Sequence, residues 1–497
     1  MTMNPCRHLW AIGLGILVLA APIATVAKPN ILFIFADDQA YDTLGPGDDP
    51  QVQTPHLDRL ARQGAQFTHC FNMGSWTGAV CVASRTMLIT GKTLWHAHAA
   101  NQMMRNLKNQ SAAEQNQFYN ALWPRRMRLL GYETYFTGKW HIGVSPHHLF
   151  DHVTHIRPGM PNDSRSDRTT TVGYHRPIES QPDDWSPADP KFGGFWEGGR
   201  HWSEILADDA VGFLRSEGKR AASGSTKPFF MYLAFNAPHD PRQSPQEFLD
   251  RYPLESVKLP TPYQDKYPHN TSGLNPGLRD EALAVYPRTE YAVKVHRREY
   301  YAIISHLDEQ IGRILNELQA QGLRDNTWII YTADHGLACG HHGLMGKQNM
   351  YDHSLRPPFI IVGPKAKPGQ VIGTPIFLQD LMATSLHLAG DNERNGVEFR
   401  SLLPLLEGKK ETSKGVYSAY TESQRAIRHD GWKLILYPKL KVKRLYNYAA
   451  DRHEQHDLAH QPAQTERMKT LFANLQRQQK KYDDTLDLAA AFPELAR

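Results

Sequence analysis

Five short stretches, Asn30–Phe35, Thr134–Thr137, Pro228–Phe235, Thr327–Thr332 and Pro358–Val362, are aliphatic, aromatic or β-branched almost throughout. A strand with one face in water alternates apolar and polar side chains, so an unbroken apolar run needs cover on both faces. With helical periodicity between the runs, that leaves an α/β architecture, a mostly parallel sheet flanked by helices. The clearest helix is expected from Glu299 to about Ala320. There Ile303, Ile304, Leu307, Ile311, Ile314, Leu315 and Leu318 form one stripe, and Gly322 provides a stop. From about Lys410 the texture changes to short strands and turns (Val416–Tyr420, Ala426–Tyr437, Arg444–Tyr448), which predicts a smaller C-terminal α+β domain on an antiparallel sheet. His147–Gly199 and Leu259–Leu278 lack periodicity and read as long insertions, of the kind that are either functional or disordered.

The chain has 497 residues, enough for a large core without staples, and its four cysteines are far too few for a disulfide framework. Ten per cent aromatic residues exclude a disordered chain, and a net charge of +5, from 56 basic and 51 acidic residues, is too mild and interspersed for a nucleic-acid partner. Arg7 and His8 precede an apolar run from Leu9 to about Pro22, followed by Ala24-Thr25-Val26-Ala27. That order describes a secretory signal peptide cleaved after about Ala27. The run is shorter than the roughly 20 residues of a spanning helix, so no stable membrane anchor is expected. The organisation expected is a signal peptide over 1–27, a catalytic domain over 28–410 and a C-terminal subdomain over 411–497. Export places the chain in the periplasm or outside the cell, or in the lysosome of a eukaryote. Without Cys6, Cys70, Cys81 and Cys339 remain, and in an exported protein Cys70 and Cys339 either pair or stay as buried thiols.

Polar residues cluster where the apolar runs stop. Asn30–Phe35 leads into Asp37 and Asp38, and Thr327–Thr332 into Asp334 and His335. Sites in open α/β sheets lie beyond the carboxyl ends of the strands, and carboxylates gathered there repel one another unless a cation sits between them. A single Asp at such a place is more often a helix cap; two clusters at two ends favour a metal site. Thr134–Thr137 leads into Lys139 and His141, Pro228–Phe235 into His239 and Asp240, and Lys347 follows downstream of Asp334. The lysines suit a bound oxyanion, and the histidines suit proton transfer near neutrality. Cys81, Ser84 and Arg85 stand ahead of an apolar helical stretch, where a helix N-terminus favours anions and lowers a thiol pKa. A buried structural Cys with a Ser cap and a surface Arg fits the same residues equally well.

In this order the motifs resemble those of the formylglycine-dependent sulfatase family, of the alkaline-phosphatase-like fold. Lys28 to Asp38 is similar to the family's first strand and metal pair, and Thr54 to Ala61 with Gly64 to its next segment. Cys81 to Arg85 resembles the C-x-P-S-R signature, with Ala83 in place of Pro, and Gly138 to Gly143 resembles G-K-W-H-x-G. Ala237-Pro238-His239, Asp334-His335-Gly336 and the closing Leu445-Tyr446-Asn447 with Asp451, Glu454 and Leu458 complete the likeness.

The resemblance implies a set of roles. A separate maturation enzyme would oxidise Cys81 to formylglycine, whose hydrated aldehyde attacks the sulfate-ester sulfur. The second hydroxyl then expels sulfate from the covalent intermediate. Asp37, Asp38, Asp334 and His335, with the modified Cys81, would hold one divalent cation, Ca2+ by family expectation. His335 stands where many members carry Asn, and an imidazole also suits softer metals. Lys139 and Lys347 would bind sulfate oxygens, Arg85 would steady the formylglycine, His141 would assist deprotonation, and His239 would protonate the departing alcohol. The His147–Gly199 insertion with Trp185 and Trp196, the residues Trp95, His96 and His98, and Asp240 with Arg242 are candidates for contacting a sulfated carbohydrate. Choline or aryl sulfates, a phosphatase or phosphonate monoester hydrolase on the same fold, and a glycan-binding protein with unconverted Cys81 are the alternatives.

Overall fold

The structure is a computed structural model that describes Met1 and residues 28–44, 51–157, 159, 173–225, 227–268, 279–364, 366–411 and 415–496. The expected signal peptide lies outside the described residues apart from Met1. Eight strands form the main sheet: β1 (Asn30–Ala36), β2 (Ala65–Phe67), β3 (Glu133–Lys139), β4 (His152–Arg157), β5 (Phe229–Ala234), β6 (Thr327–Ala333), β7 (Phe359–Val362) and β8 (Gln370–Ile372). Their order is β8-β2-β7-β6-β1-β5-β3-β4, and only β7 runs against the others. The apolar runs are central strands with both faces buried. Phe33, Phe35, Phe230, Tyr232 and Ile330 turn to one core, while Leu32, Ile34, Met231, Leu233 and Ile329 turn to the other. That alternation is why the runs carry no polar face.

Helices α1 (Pro55–Gln63), α2 (Val80–Thr90), α3 (Leu94–Asn106), α4 (Trp202–Ala222) and α5 (Glu290–Ala320) are the ones that bear on the site. Helix α5 begins at Glu290, well before the expected Glu299. Thr289 caps it by accepting from the Ala292 amide, and its opening turns bury His296, Arg297 and Glu299. Those charges break the apolar stripe on which the expected start rested. The insertion that begins at His147 contains β4, an exposed edge strand that sequence periodicity did not reveal because most of its side chains face water.

The C-terminal antiparallel sheet comprises β9 (Val416–Tyr420), β10 (Gln424–His429), β11 (Trp432–Tyr437) and β12 (Val442–Asn447). The single run expected over Ala426–Tyr437 is a hairpin of two strands. A fifth, short strand, Gly74–Ser75, joins β9 in parallel from the catalytic side of the chain. Gly74 has φ +95°, and a Cβ there would lie 1.9 Å from the Ala419 carbonyl oxygen, so only glycine permits this docking. Helix α6 (Thr465–Lys481) covers one face of the sheet with Met468, Leu471, Phe472 and Leu475, in a core shared with Ala83 and Met87 of α2. Cys70 and Cys339 are both buried and free, in separate cores, so the pairing left open by compartment is absent. No helix of the described residues is long and apolar enough to cross a membrane.

Trp95 and His96 join the two units rather than lining the strand ends. The Trp95 indole donates to the Tyr417 hydroxyl at 3.0 Å, beneath the Arg425 guanidinium. His96 places Nδ1 2.8 Å from Glu398 and Nε2 2.7 Å from Asp483, and Lys92 lies 3.2 Å from the other Glu398 oxygen. Only a doubly protonated ring can donate to both acids. Burial opposes the charge, but the hydrogen bonds to Asp483 and Glu398 raise the pKa above 6.5. The imidazolium contribution is therefore complete below about pH 6.5 and fades as pH rises through the higher folded value. With the side chain 34% exposed, solvent screening limits it to under about 1 kcal/mol. Denaturation midpoints measured from pH 5.5 to 8.5 should show this loss in the parent and not in His96→Gln. Parallel curves would disprove it.

Candidate functional site

Strand register brings the polar ends level. Ala36 of β1 pairs with Ala333 of β6, Phe35 with Ala234 of β5, and Gly138 of β3 also with Ala234. Asp37, Asp334 and Lys139 therefore emerge side by side, and the turn after β5 brings His239 back to them. Gly138 has φ +103°, and a Cβ there would fall 1.9 Å from the Ala234 carbonyl oxygen. The glycine lets β3 press against β5 and aim Lys139 inward. Asp38 (φ +67°) and His141 (φ +55°) adopt the left-handed conformation that non-glycine residues rarely hold, strain of the kind that gathers at functional sites.

Cys81 lies in the first turn of α2, buried, with its Sγ 3.5 Å from His335 Nε2, 3.6 Å from Lys347 Nζ, 3.8 Å from Lys139 Nζ and 4.0 Å from Asp38 Oδ1. Burial raises the thiol pKa, but Lys139 and Lys347 outweigh it and hold the group well below its ordinary value. His141 and His239 also reach this sulfur. All six expected catalytic residues, Cys81, Arg85, Lys139, His141, His239 and Lys347, thus meet in one place, buried except for the partly exposed His141. The four expected metal ligands beside Cys81 meet there too.

Arg85 is fully buried, not at the surface. Its Nε donates to Asp334 Oδ2 at 3.2 Å and NH1 to the Lys139 carbonyl at 2.8 Å, while NH2 lies 3.7 Å from Asp37 Oδ1. Ser84 Oγ and Asn72 Nδ2 donate to the Asp334 carbonyl at 2.7 and 2.6 Å, which fastens α2 to the end of β6. Lys139 Nζ pairs with Asp37 Oδ2, and Lys347 Nζ lies 2.5 Å from Asp38 Oδ2. His239 donates from Nδ1 to the Asp240 carbonyl at 2.7 Å, which leaves Nε2 facing Lys347 Nζ at 3.1 Å. His335 likewise donates from Nδ1 to the Gly336 carbonyl and turns Nε2 to Asp38 Oδ1 at 3.1 Å.

The acids are crowded. Burial and the adjacent Asp37 carboxylate raise Asp334 to about 8, whereas Lys139 overcomes burial at Asp37 and draws it down to about 2. Burial disfavours a charged His335, yet Asp334 and Asp38 lift it to about 10. Asp37 Oδ1 is buried without a hydrogen bond. One ligand atom each from Asp37, Cys81, Asp334 and His335 falls within a 4.8 Å cluster, as does one each from Asp37, Asp38, Cys81 and His239. Crowded carboxylate oxygens, one of them without a hydrogen bond, are the donor set of a hard divalent cation, so these residues fit such an ion.

Besides Asn72, three contributors escape sequence inspection. Tyr300 of α5 donates to the Asp38 carbonyl at 2.6 Å and accepts from the Ala40 amide, holding the strained acidic turn. Asp280 lies 3.9 Å from Lys347 Nζ, and the Glu281 carboxylate accepts from the Gly346 amide at 2.9 Å. Among the substrate-contact candidates, Trp185 packs on Phe192, Asp240 accepts from Tyr174, and Arg242 lies buried over Tyr300.

Residues 29–391 match the family described as sulfatase, and residues 340–481 match the C-terminal part of N-sulphoglucosamine sulphohydrolase. A sulfatase of Formosa agariphila is 28% identical over 86% of this chain and 82% of its own. An N-acetylglucosamine-6-O-sulfatase of Bacteroides thetaiotaomicron is 27% identical over 92% and 87%. In fold, the chain is similar to a protein solved with its substrate D-glucosamine-2-N,6-O-disulfate (TM-score 0.66, 24% identity, 92% and 99% covered). It is also similar to a phosphonate monoester hydrolase of Silicibacter pomeroyi (TM-score 0.69, 20% identity, 92% and 96% covered). The family match runs from β1 to beyond β8 and takes in every strand end that builds the site, so the chain belongs to the sulfatase family and is an enzyme that hydrolyses sulfate esters.

Proposed function

We propose that this sulfatase removes sulfate from a sulfated glycan, with Cys81 matured to formylglycine by a separate enzyme. The observation that carries the chemistry is the convergence of Lys139, Lys347, His141 and His239 on the Cys81 sulfur. The glycan is supported by the N-acetylglucosamine-6-O-sulfatase relative, which aligns over 92% of this chain. Export by the N-terminal segment belongs to the same proposal, because a polymeric substrate is met outside the cytoplasm.

Asp37, Asp38, Asp334 and His335, with the residue at 81, would hold Ca2+. When bound, the ion polarises the sulfate oxygens, and formylglycine supplies a hydrated aldehyde as the nucleophilic group. Lys139 and Lys347 lie 3.8 and 3.6 Å from the Cys81 sulfur and hold the sulfate oxygens by charge-assisted hydrogen bonds. His239, its Nδ1–H committed to the Asp240 carbonyl, presents Nε2 to the departing alcohol oxygen and delivers the proton there. Burial keeps the His141 pKa low, so the ring is neutral and able to accept a proton from the side chain at position 81. Arg85 binds Asp37, Asp334 and the Lys139 carbonyl in one array, fixing the acids relative to the lysines.

The test is desulfation of defined sulfated saccharides beside aryl sulfate, choline sulfate, and phosphate and phosphonate esters, using protein whose Cys81 peptide carries the aldehyde mass. Sulfate release from a saccharide with the highest kcat/KM supports the proposal. Inert saccharides beside rapid turnover of a small sulfate or a phosphorus ester reject it. Chelation should remove at least about 99% of activity and lower Tm, and added Ca2+ should restore both. Activity indifferent to chelation would contradict the cation assignment.

A further inference from the structure

A cleft of about 550 Å3 opens beside His141, walled on one side by α2 and α3 and on the other by the ends of β3 and β4. Its surface is largely apolar, from Val82, Trp140, Ile142 and Ile156. Two polar side chains of α3, Asn101 and Arg105, stand one helical turn apart on this wall. Asn101 is 4% exposed and Arg105 is exposed at the rim. Among the described residues neither side chain has a hydrogen-bond or ion-pair partner, and His141 Nδ1 is also buried without one. The His141 nitrogen is a buried polar atom left unsatisfied, and the Asn101 amide and Arg105 guanidinium face the cleft with no partner among the described residues, so all three are available to a ligand.

The geometry points to this cleft as the seat of the sugar next to the scissile sulfate, with Arg105 binding an anionic group on that sugar and Asn101 a hydroxyl or amide. Apolar walls with a few polar groups are the make-up of a saccharide site, and the adjacency of His141 ties the cleft to the reacting centre. The anion is a carboxylate or a second sulfate, two groups that a guanidinium binds alike. This assignment rests on the glycan proposal above and adds the charge class of the neighbouring unit and the residue that selects it.

The experiment compares the parent with Arg105→Gln and Arg105→Lys on three saccharide sulfates that differ only next to the scissile ester: a neutral unit, a uronic acid and a second sulfate. In the parent, an anionic substrate should be preferred, and rising salt should erode that preference. Whichever of the two anionic substrates is preferred identifies the group. In Arg105→Gln the anionic-to-neutral ratio of kcat/KM should fall about tenfold through KM, with Arg105→Lys restoring part of it. Dissociation constants of the same saccharides with Cys81→Ser and Cys81→Ser/Arg105→Gln should move in parallel, which separates binding from turnover. An unchanged ratio in Arg105→Gln, with saccharides still desulfated, overturns the Arg105 site alone. Saccharides that are neither bound nor desulfated by the parent overturn the glycan proposal and this site together.

Discussion

Cys81→Ala should lower kcat on any sulfate ester by at least about 10⁴-fold while leaving the fold intact, because the reaction then lacks its nucleophile-bearing side chain. The site tolerates the truncation. Cys81 occupies the first turn of α2, where the loss removes one sulfur and spares the array of Arg85, Asp37 and Asp334. Tm should therefore stay within a few degrees of the parent. Mass spectrometry of the Cys81 peptide from active protein should show a mass about 18 Da below the thiol form, as oxidation of a thiol to an aldehyde requires. Full activity in Cys81→Ala, or an active preparation carrying only the thiol, would remove Cys81 from the mechanism.

Arg85→Leu should cost about 3–5 kcal/mol of stability, the largest structural effect expected at the site. The guanidinium is wholly buried, stacked 4.7 Å over the Phe35 ring and shared between Asp334 and Asp37. Leucine fills much of the space but leaves two carboxylates with one positive neighbour fewer, and Asp334 is already held up at about 8. Activity should fall with stability, since the Lys139 carbonyl also loses its donor. Chemical denaturation of Arg85→Leu and Arg85→Lys reads the effect, with lysine keeping the charge but not the three-way contact. A leucine variant as stable as the parent would show that Arg85 does not balance these acids.

Much of this site is legible in the sequence because a buried parallel strand leaves two local marks, an unbroken apolar run and an abrupt polar stop. Asp37, Lys139, His239 and Asp334 follow such stops, each within about five residues of a strand end. Tyr300, Asp280, Glu281 and Asn72 carry no such mark. Tyr300 sits within a long helix, Asp280 and Glu281 in the short 3-10 helix Arg279–Leu283, and Asn72 beside a two-residue strand, and each reaches the site only through packing between segments distant in the chain. The start of α5 was hidden for a related reason: its first turns bury His296, Arg297 and Glu299, whose burial depends on partners such as Arg176 paired with Glu299 at 2.7 Å.

Cys81 and Arg85 mark the boundary most clearly. From local chemistry a thiol and a guanidinium ahead of an apolar helix are equally a reactive pair or a buried Cys beside a surface Arg. The alternatives separate once α2 docks against the ends of β1 and β6, where Arg85 replaces water with two carboxylates and Cys81 meets two lysines. The sequence alone determined the α/β class, the sulfatase likeness and the strand-end residues, since periodicity and local polarity reside in neighbouring positions. The tertiary structure decided which of those side chains share one charge environment, that Cys70 and Cys339 stay apart, and that Trp95 meets the C-terminal sheet at Tyr417 while His96 pairs with Asp483 beyond α6. Those outcomes depend on strand register and helix docking, and Coulomb energies between groups a few ångströms apart follow from that placement, not from their spacing along the chain.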